Sequence, residues 1–424
     1  MKTRSKKTHF VTYVLLLFTA LAGTASADVI SDWNVIGLQE AVAAARQGGA
    51  PAIDLATMHA AMYDAVQAIE KDYEPYRVTD VPNTTGASPI AAAAKAARDV
   101  LVYRFSARAV QINDRYMTYL GANGIPSDDP GIDVGTYVAA KLLAYRSCDG
   151  SLPIPPPTFT GGTGIGEWRP TPLMAFAAMN PGPYLGQVTP FFMTRPTQFR
   201  PDAPPAVTSK QYARDYKEVK LYGSKTGSLR SAEQTDLAFF WAGNTFAAIY
   251  SGVRNVAANN VDNVSDSSRL FALVAMSQAD TIIGVWDAKF HYNYWRPITA
   301  IQNGAVDGNP DTVGDATWES LIINPAYPDY TSGANGVSSS AMYSMEHFFE
   351  TDSMEFSMTS TNATAIQNPR NFTSFSQAIQ EVVDGRVLLG IHFRFADEAS
   401  VKLGHDVVKW GFKNYLRPVS GKKN

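Results

Sequence analysis

Three short segments carry side chains suited to holding a compact anion. In the first, Trp286 to Pro297, Lys289 and Arg296 stand seven apart among aromatic residues. That is two helical turns, so an unbroken helix would present both cations on one face. Pro297 disfavours helix at Arg296 and predicts a break there. A snorkelling lysine and an arginine stacked on rings would explain the same residues in purely structural terms. In the second, Pro328-Asp-Tyr-Thr331-Ser332-Gly333-Ala334-Asn335-Gly336, a glycine-rich turn enters a helix. Backbone N–H groups at such a turn form an anion site, with the Ser332 hydroxyl beside them. An ordinary N-cap by Ser332 or Asn335 is the plainer account. In the third, Gly385 to Asp397, Arg386 lies near a helix end, Gly390 close to its terminus and His392 in the connection to the last helix. Read in order, the segments supply Lys, Arg, hydroxyl and backbone, Arg and His. Such a set surrounds a tetrahedral oxyanion with charge-assisted donors and places an imidazole at its apex.

These residues resemble the signature of the vanadium-dependent haloperoxidase and type-2 phosphatidic acid phosphatase superfamily, and within it the bacterial soluble haloperoxidase-like branch. That signature reads Lys-x6-Arg-Pro, then Pro-Ser-Gly-His, then Ser-Arg-x5-His-x3-Asp. Lys289-x6-Arg296-Pro297 and Arg386-x5-His392 match in full, and Ser332-Gly333 matches the centre of the middle block. Trp286-Asp-Ala-Lys289, Tyr294-Trp-Arg-Pro297, Gln198-Phe-Arg-Pro201 and Ile391-His-Phe-Arg-Phe395 extend the likeness over most of the chain. The resemblance implies that Lys289, Arg296, Ser332, Gly333 and Arg386 hold the equatorial oxygens of vanadate, or of phosphate. His392 would bond to vanadium, or attack phosphorus. The implied substrates are halide with hydrogen peroxide, or a phosphoester. Five-coordinate vanadate resembles the trigonal-bipyramidal state of phosphoryl transfer, so one cradle serves both.

The chain departs from the pattern at four places. Thr331 stands for proline and Gly385 for serine. Ala396 occupies the aspartate position, and the neighbouring Asp397 is expected to orient His392 instead. Ala334 stands where the resemblance places an acid–base histidine. Losing such a group typically costs about 10²–10⁴ in rate. Asn335 cannot transfer protons near neutral pH, His291 would face away from Lys289 on a helix, and His347 lies more than three turns beyond Ala334. Besides a haloperoxidase-like or acid-phosphatase-like enzyme, the same residues suit a non-catalytic or repurposed oxyanion-binding protein. Asp307, Asp311 and Asp315 lack the spacing of a calcium loop and read as solvated loop acids.

The elements that must position these residues are helical. The chain has 424 residues, of which 45% are hydrophobic and 18% charged, with one cysteine, Cys148. That composition excludes a disordered chain, a nucleic-acid-binding surface, an internal disulfide and a Cys-built metal site. Lys2, Arg4, Lys6 and Lys7 precede an apolar run ending at Leu21 and the small-x-small site Ala25-Ser26-Ala27, the anatomy of a cleaved signal peptide over 1–27. The protein is thus expected to be exported, periplasmic or secreted, with no membrane span in its mature form. Cleavage would move the net charge from −3 to −7. Alanine-rich helical periodicity marks 54–69, 88–102 and 134–145, within an N-terminal helical region 28–230. Thirteen of the 25 prolines fall in 151–206, which reads as an ordered irregular wrap. His59 reads as a packed core histidine. Region 231–420 holds the anion segments, and Ser231 with Gln234 predicts a capping box. Further helices are expected over 267–293, 335–349, 375–389 and 398–415. The predicted fold is all-α, a helical bundle of the haloperoxidase and acid-phosphatase type with Pro-rich connections.

Overall fold

The computed structural model of the chain describes residues 28–154, 159–171 and 182–419. The expected signal peptide and part of the Pro-rich wrap lie outside the described residues. The helices are α1 (Val29–Ala43), α2 (Ala50–Glu70), α3 (Pro89–Arg104), α4 (Ala109–Ala122), α5 (Pro130–Arg146), α6 (Lys210–Tyr222), α7 (Ala232–Trp241), α8 (Thr245–Asn260), α9 (Val264–Tyr292), α10 (Pro297–Gln302), α11 (Gly333–Phe349), α12 (Phe375–Leu388) and α13 (Arg394–Asn414). Among the described residues a single antiparallel hairpin, β1 (Ser353–Met358) and β2 (Arg370–Ser374), pairs Phe356 with Phe372 and carries a bulge near Ser353. The molecule is therefore the mainly helical bundle that the periodicity predicts.

Local chemistry sets the helix ends. Ser88, Asp129, Ser209, Asn244 and Asn263 each accept a backbone N–H of the first turn, and Ser231 with Gln234 forms the expected capping box. The helices α2, α5, α9, α11 and α13 start two to four positions ahead of the expected bounds, because capping residues lie ahead of the buried stripe, whereas α12 starts at Phe375 as expected.

The 29-residue α9 is the axis of the molecule. It packs against α2, which with α1, α3 and α5 forms one bundle, and against α11 and α13, which with α12 form another. It is long and apolar enough to cross a membrane, yet 94% of its apolar window is buried within the protein, as befits a core helix shared by two bundles. The described part of the Pro-rich wrap lies across it. Asp280, mid-helix on α9, accepts the N–H groups of Phe191, Phe192 and Met193 at 2.6, 2.8 and 2.6 Å. Asp64 on α2 likewise takes three consecutive N–H groups, those of Tyr76, Arg77 and Val78. His59 is a buried α2 residue whose Nε2 lies 3.0 Å from Asn34 Nδ2.

Candidate oxyanion site

Lys289 occupies the last turn of α9, and Arg296 follows a break in the helix. Asn293 ends α9 in the left-handed conformation, and Arg296 is extended (φ −83, ψ 157) as the residue before Pro297. Both side chains are fully buried. Lys289 Nζ donates to the carbonyls of Pro328 and Asp329 at 2.7 and 2.9 Å. Arg296 donates from Nε to Tyr327 O at 2.9 Å and from Nη1 to Ile391 O at 2.7 Å. The Tyr327 ring lies 5.1 Å from Lys289 Nζ and 5.0 Å from Arg296 Cζ, so one aromatic face supports both cations. Burial is the largest influence on Lys289 and depresses its pKa well below the usual range, reinforced by Arg296.

His392 sits in the connection between α12 and α13. The turn that delivers it needs a glycine: Gly390 has φ +77, and a Cβ there would meet the Gly223 carbonyl oxygen at 2.3 Å. His392 Nε2 lies 3.2 Å from Arg296 Nη1, and its Nδ1 lies 2.7 Å from Asp329 Oδ1. A guanidinium has only protons to offer, so Nε2 is the unprotonated nitrogen and Nδ1 carries the proton against Asp329. Burial, then the charges of Arg296, Lys289 and Arg386, push the imidazole pKa well down. A neutral ring with its lone pair on Nε2 is the form able to bond an electrophilic centre.

Asp329 is the residue that sequence reasoning missed, and Asp397 the one it misplaced. Asp397 makes no contact with His392. Its Oδ1 accepts from Asn335 Nδ2 at 2.7 Å, and the Ser332 hydroxyl faces the same carboxyl. The physical reason is that α13 begins at Arg394, which puts Asp397 in the first turn, facing the start of α11. The signal for Asp329 was an acid directly ahead of the 331–333 turn.

Ser332 is the N-cap residue of α11 but caps nothing with its side chain. Its hydroxyl turns inward, 3.3 Å from Asn335 Nδ2. The first-turn N–H groups of α11 consequently have neither an intrahelical acceptor nor a Ser332 cap. Gly333 and Ala334 line a cavity of about 210 Å³ together with Arg386 and His392. Arg386, in the last turn of α12, donates from Nη1 to Trp241 O at 2.9 Å. Of the predicted anion-holding residues, Gly333, Arg386 and His392 thus open onto the cavity. Lys289, Arg296 and Ser332 form the layer behind it.

Buried donors at this site that lack hydrogen-bond partners among the described residues include Arg296 Nη2, Arg386 Nε and Trp286 Nε1. An unpaired buried guanidinium nitrogen is costly, and an oxyanion would satisfy both arginines. Donor type, the positive end of α11 and the neutral imidazole all suit a vanadate- or phosphate-like group. At the place of the acid–base histidine the cavity wall is the methyl of Ala334. His291 is exposed, and His347 lines a separate surface cleft near the far end of α11.

Residues 269–421 match the VCPO second helical-bundle domain. The vanadium chloroperoxidase of Curvularia inaequalis is 26% identical over 185 residues, which is 36% of this chain and 30% of that protein's length. The alignment thus spans less than a third of that curated relative. The crystal structure of a bacterial vanadium-dependent iodoperoxidase superposes with a TM-score of 0.78 at 24% identity, covering 95% of this chain and 99% of that one. A holo-type bacterial vanadium-dependent chloroperoxidase gives 0.66 at 15% identity over 92% and 93%. The chain thus has the fold of the bacterial vanadium-dependent haloperoxidases, and its 269–421 bundle matches the VCPO second helical-bundle domain.

Proposed function

We propose that the protein is an exported, vanadate-binding haloperoxidase that oxidises halide while hydrogen peroxide is reduced to water. The observation that carries this is the pair of unpartnered guanidinium nitrogens, on Arg296 and Arg386, beside the neutral His392. Vanadate bound there would supply an electrophilic centre that activates peroxide. The chain's own residues do the rest. Arg386, Arg296 and the α11 N-terminus offset the anion's charge, and His392 presents Nε2 while Asp329 holds the Nδ1 proton. Tyr327 and the carbonyls of Pro328 and Asp329 keep the two buried cations in place.

Ala334 sets the limit on turnover. No imidazole stands at that position to take or give a proton, so the rate is expected to fall below that of an Ala334→His variant by about 10²–10⁴. Isothermal titration with orthovanadate and with phosphate tests the cradle. Saturable binding by the wild type and its loss in His392→Ala support the reading, and absence of wild-type binding defeats it. Halide oxidation that Ala334→His fails to improve would defeat the role given to Ala334. The acid-phosphatase alternative rests on the same cradle, and phosphoester hydrolysis without halide oxidation would favour it.

A further inference from the structure

Asp397 is completely buried, and its direct partners are Asn335 and Ser332 rather than a cation. Both partners belong to the start of α11 and are themselves fully buried. Asn335 Nδ2 has two protons to offer. One goes to Asp397 Oδ1 at 2.7 Å and the other to Ser332 Oγ at 3.3 Å. The backbone of Ser332 is clamped by α13 on two sides. Its N–H donates to Ala396 O at 3.0 Å, and its carbonyl accepts from Ser400 Oγ at 2.6 Å. What remains to be fixed is the direction of its hydroxyl, one residue from Gly333 in the cavity wall.

The hydrogen-bond inventory fixes that direction. Asp397 Oδ2 has no partner among the described residues. Protonated, it carries one O–H, and the Ser332 oxygen has one lone pair still open. Ser332 Oγ then accepts from Asn335 and from Asp397, and its own proton has no acceptor left within the triad. A carboxylate would instead take the Ser332 proton and turn the hydroxyl away from the anion. Burial is the largest influence on Asp397 and holds its pKa well above the ordinary carboxylate range. Asp329 adds to this, against the pull of Ser332, Arg386 and Asn335. Lys289 and Arg296 are the other charges that sense it.

We infer that Asp397 and Asn335 are positioning residues of the oxyanion cradle, which together hold the Ser332 hydroxyl as a donor toward the bound anion. The inference rests on the cradle reading and assigns a use to the acid that stands beside Ala396 without reaching His392.

A double-mutant cycle tests it, read by isothermal titration of the full chain with inorganic phosphate and no vanadate. Asp397→Ala and Ser332→Ala should each weaken phosphate by about tenfold or more, the value of one hydrogen bond to a charged group. The two together should be scarcely worse than Ser332→Ala alone, because Asp397 acts only through that hydroxyl. Asp397→Asn keeps one acceptor and one donor for the same partners, so it should restore most of the affinity. Asn335→Ala, which leaves the carboxyl in place, is the second variant should Asp397→Ala fail to melt cooperatively. Its loss should likewise vanish in the Ser332→Ala background. A merely structural role predicts additive losses, and these would overturn the inference, as would an Asp397→Asn that binds as poorly as Asp397→Ala. In either case phosphate binding by the wild type leaves the cradle standing. A wild type that binds neither phosphate nor orthovanadate defeats the cradle and this inference with it.

Discussion

Asp329 and His392 face each other at 2.7 Å and respond to pH in opposite senses. His392 is held well below its ordinary range, so the folded protein keeps it neutral where the unfolded chain would protonate it. Its contribution to stability is present above about pH 6.5 and is lost as pH falls below that value. Burial raises Asp329 to about 7. Its contribution is present below about pH 4 and is lost as pH rises toward 7. Between these limits the two slopes oppose. Asp329→Asn removes one of them, so its thermal stability should rise with pH between about 4 and 6.5 more steeply than that of the wild type. Equal slopes in melts taken across that range would contradict the pairing. Gly333, Arg386 and His392, which line the cavity, were legible because each sits in a short motif. Asp329 was not, because nothing in a single sequence says that a loop acid will meet a histidine 63 residues later.

At the scale of elements, helices were legible from their apolar period and their caps, whereas the irregular wrap was legible only as composition. Its course is set by backbone N–H groups that seek buried acceptors on helices far away in sequence. Asp280 and Asp64 are those acceptors, and each binds three consecutive N–H groups. Neither aspartate looks distinctive in the sequence, because α2 also carries Asp54 and α9 also carries Asp266 and Asp287. Asp280→Ala would leave three buried donors unpaired. Each costs about 1–3 kcal/mol, so the loss should be roughly 3 kcal/mol or more, read as a fall in the urea midpoint. A change below about 1 kcal/mol would show that the 191–193 segment is held by its aromatic packing instead. The 353–374 hairpin escaped the sequence reading because its strands are five or six residues long and pair only with each other.

At the scale of the molecule, the described chain begins with Asp28, which caps α1 through Ile30 N and also accepts from Ser267 Oγ at the start of α9. Cleavage after Ala27 would leave that cap intact and place the new amino group next to its carboxylate. On the signal-peptide reading, N-terminal sequencing of the secreted chain is expected to begin at Asp28. A chain retaining residues 1–27 would contradict the signal-peptide reading.

The helix α9 belongs to both bundles, with α2 on it from one and α11 and α13 from the other. It cannot lose its contacts with one bundle and remain a folded partner for the other. The two halves are accordingly expected to melt in a single cooperative transition, and an anion bound at residues 289–392 is expected to stabilise the N-terminal bundle by mass action, although it would touch that bundle only at its rim.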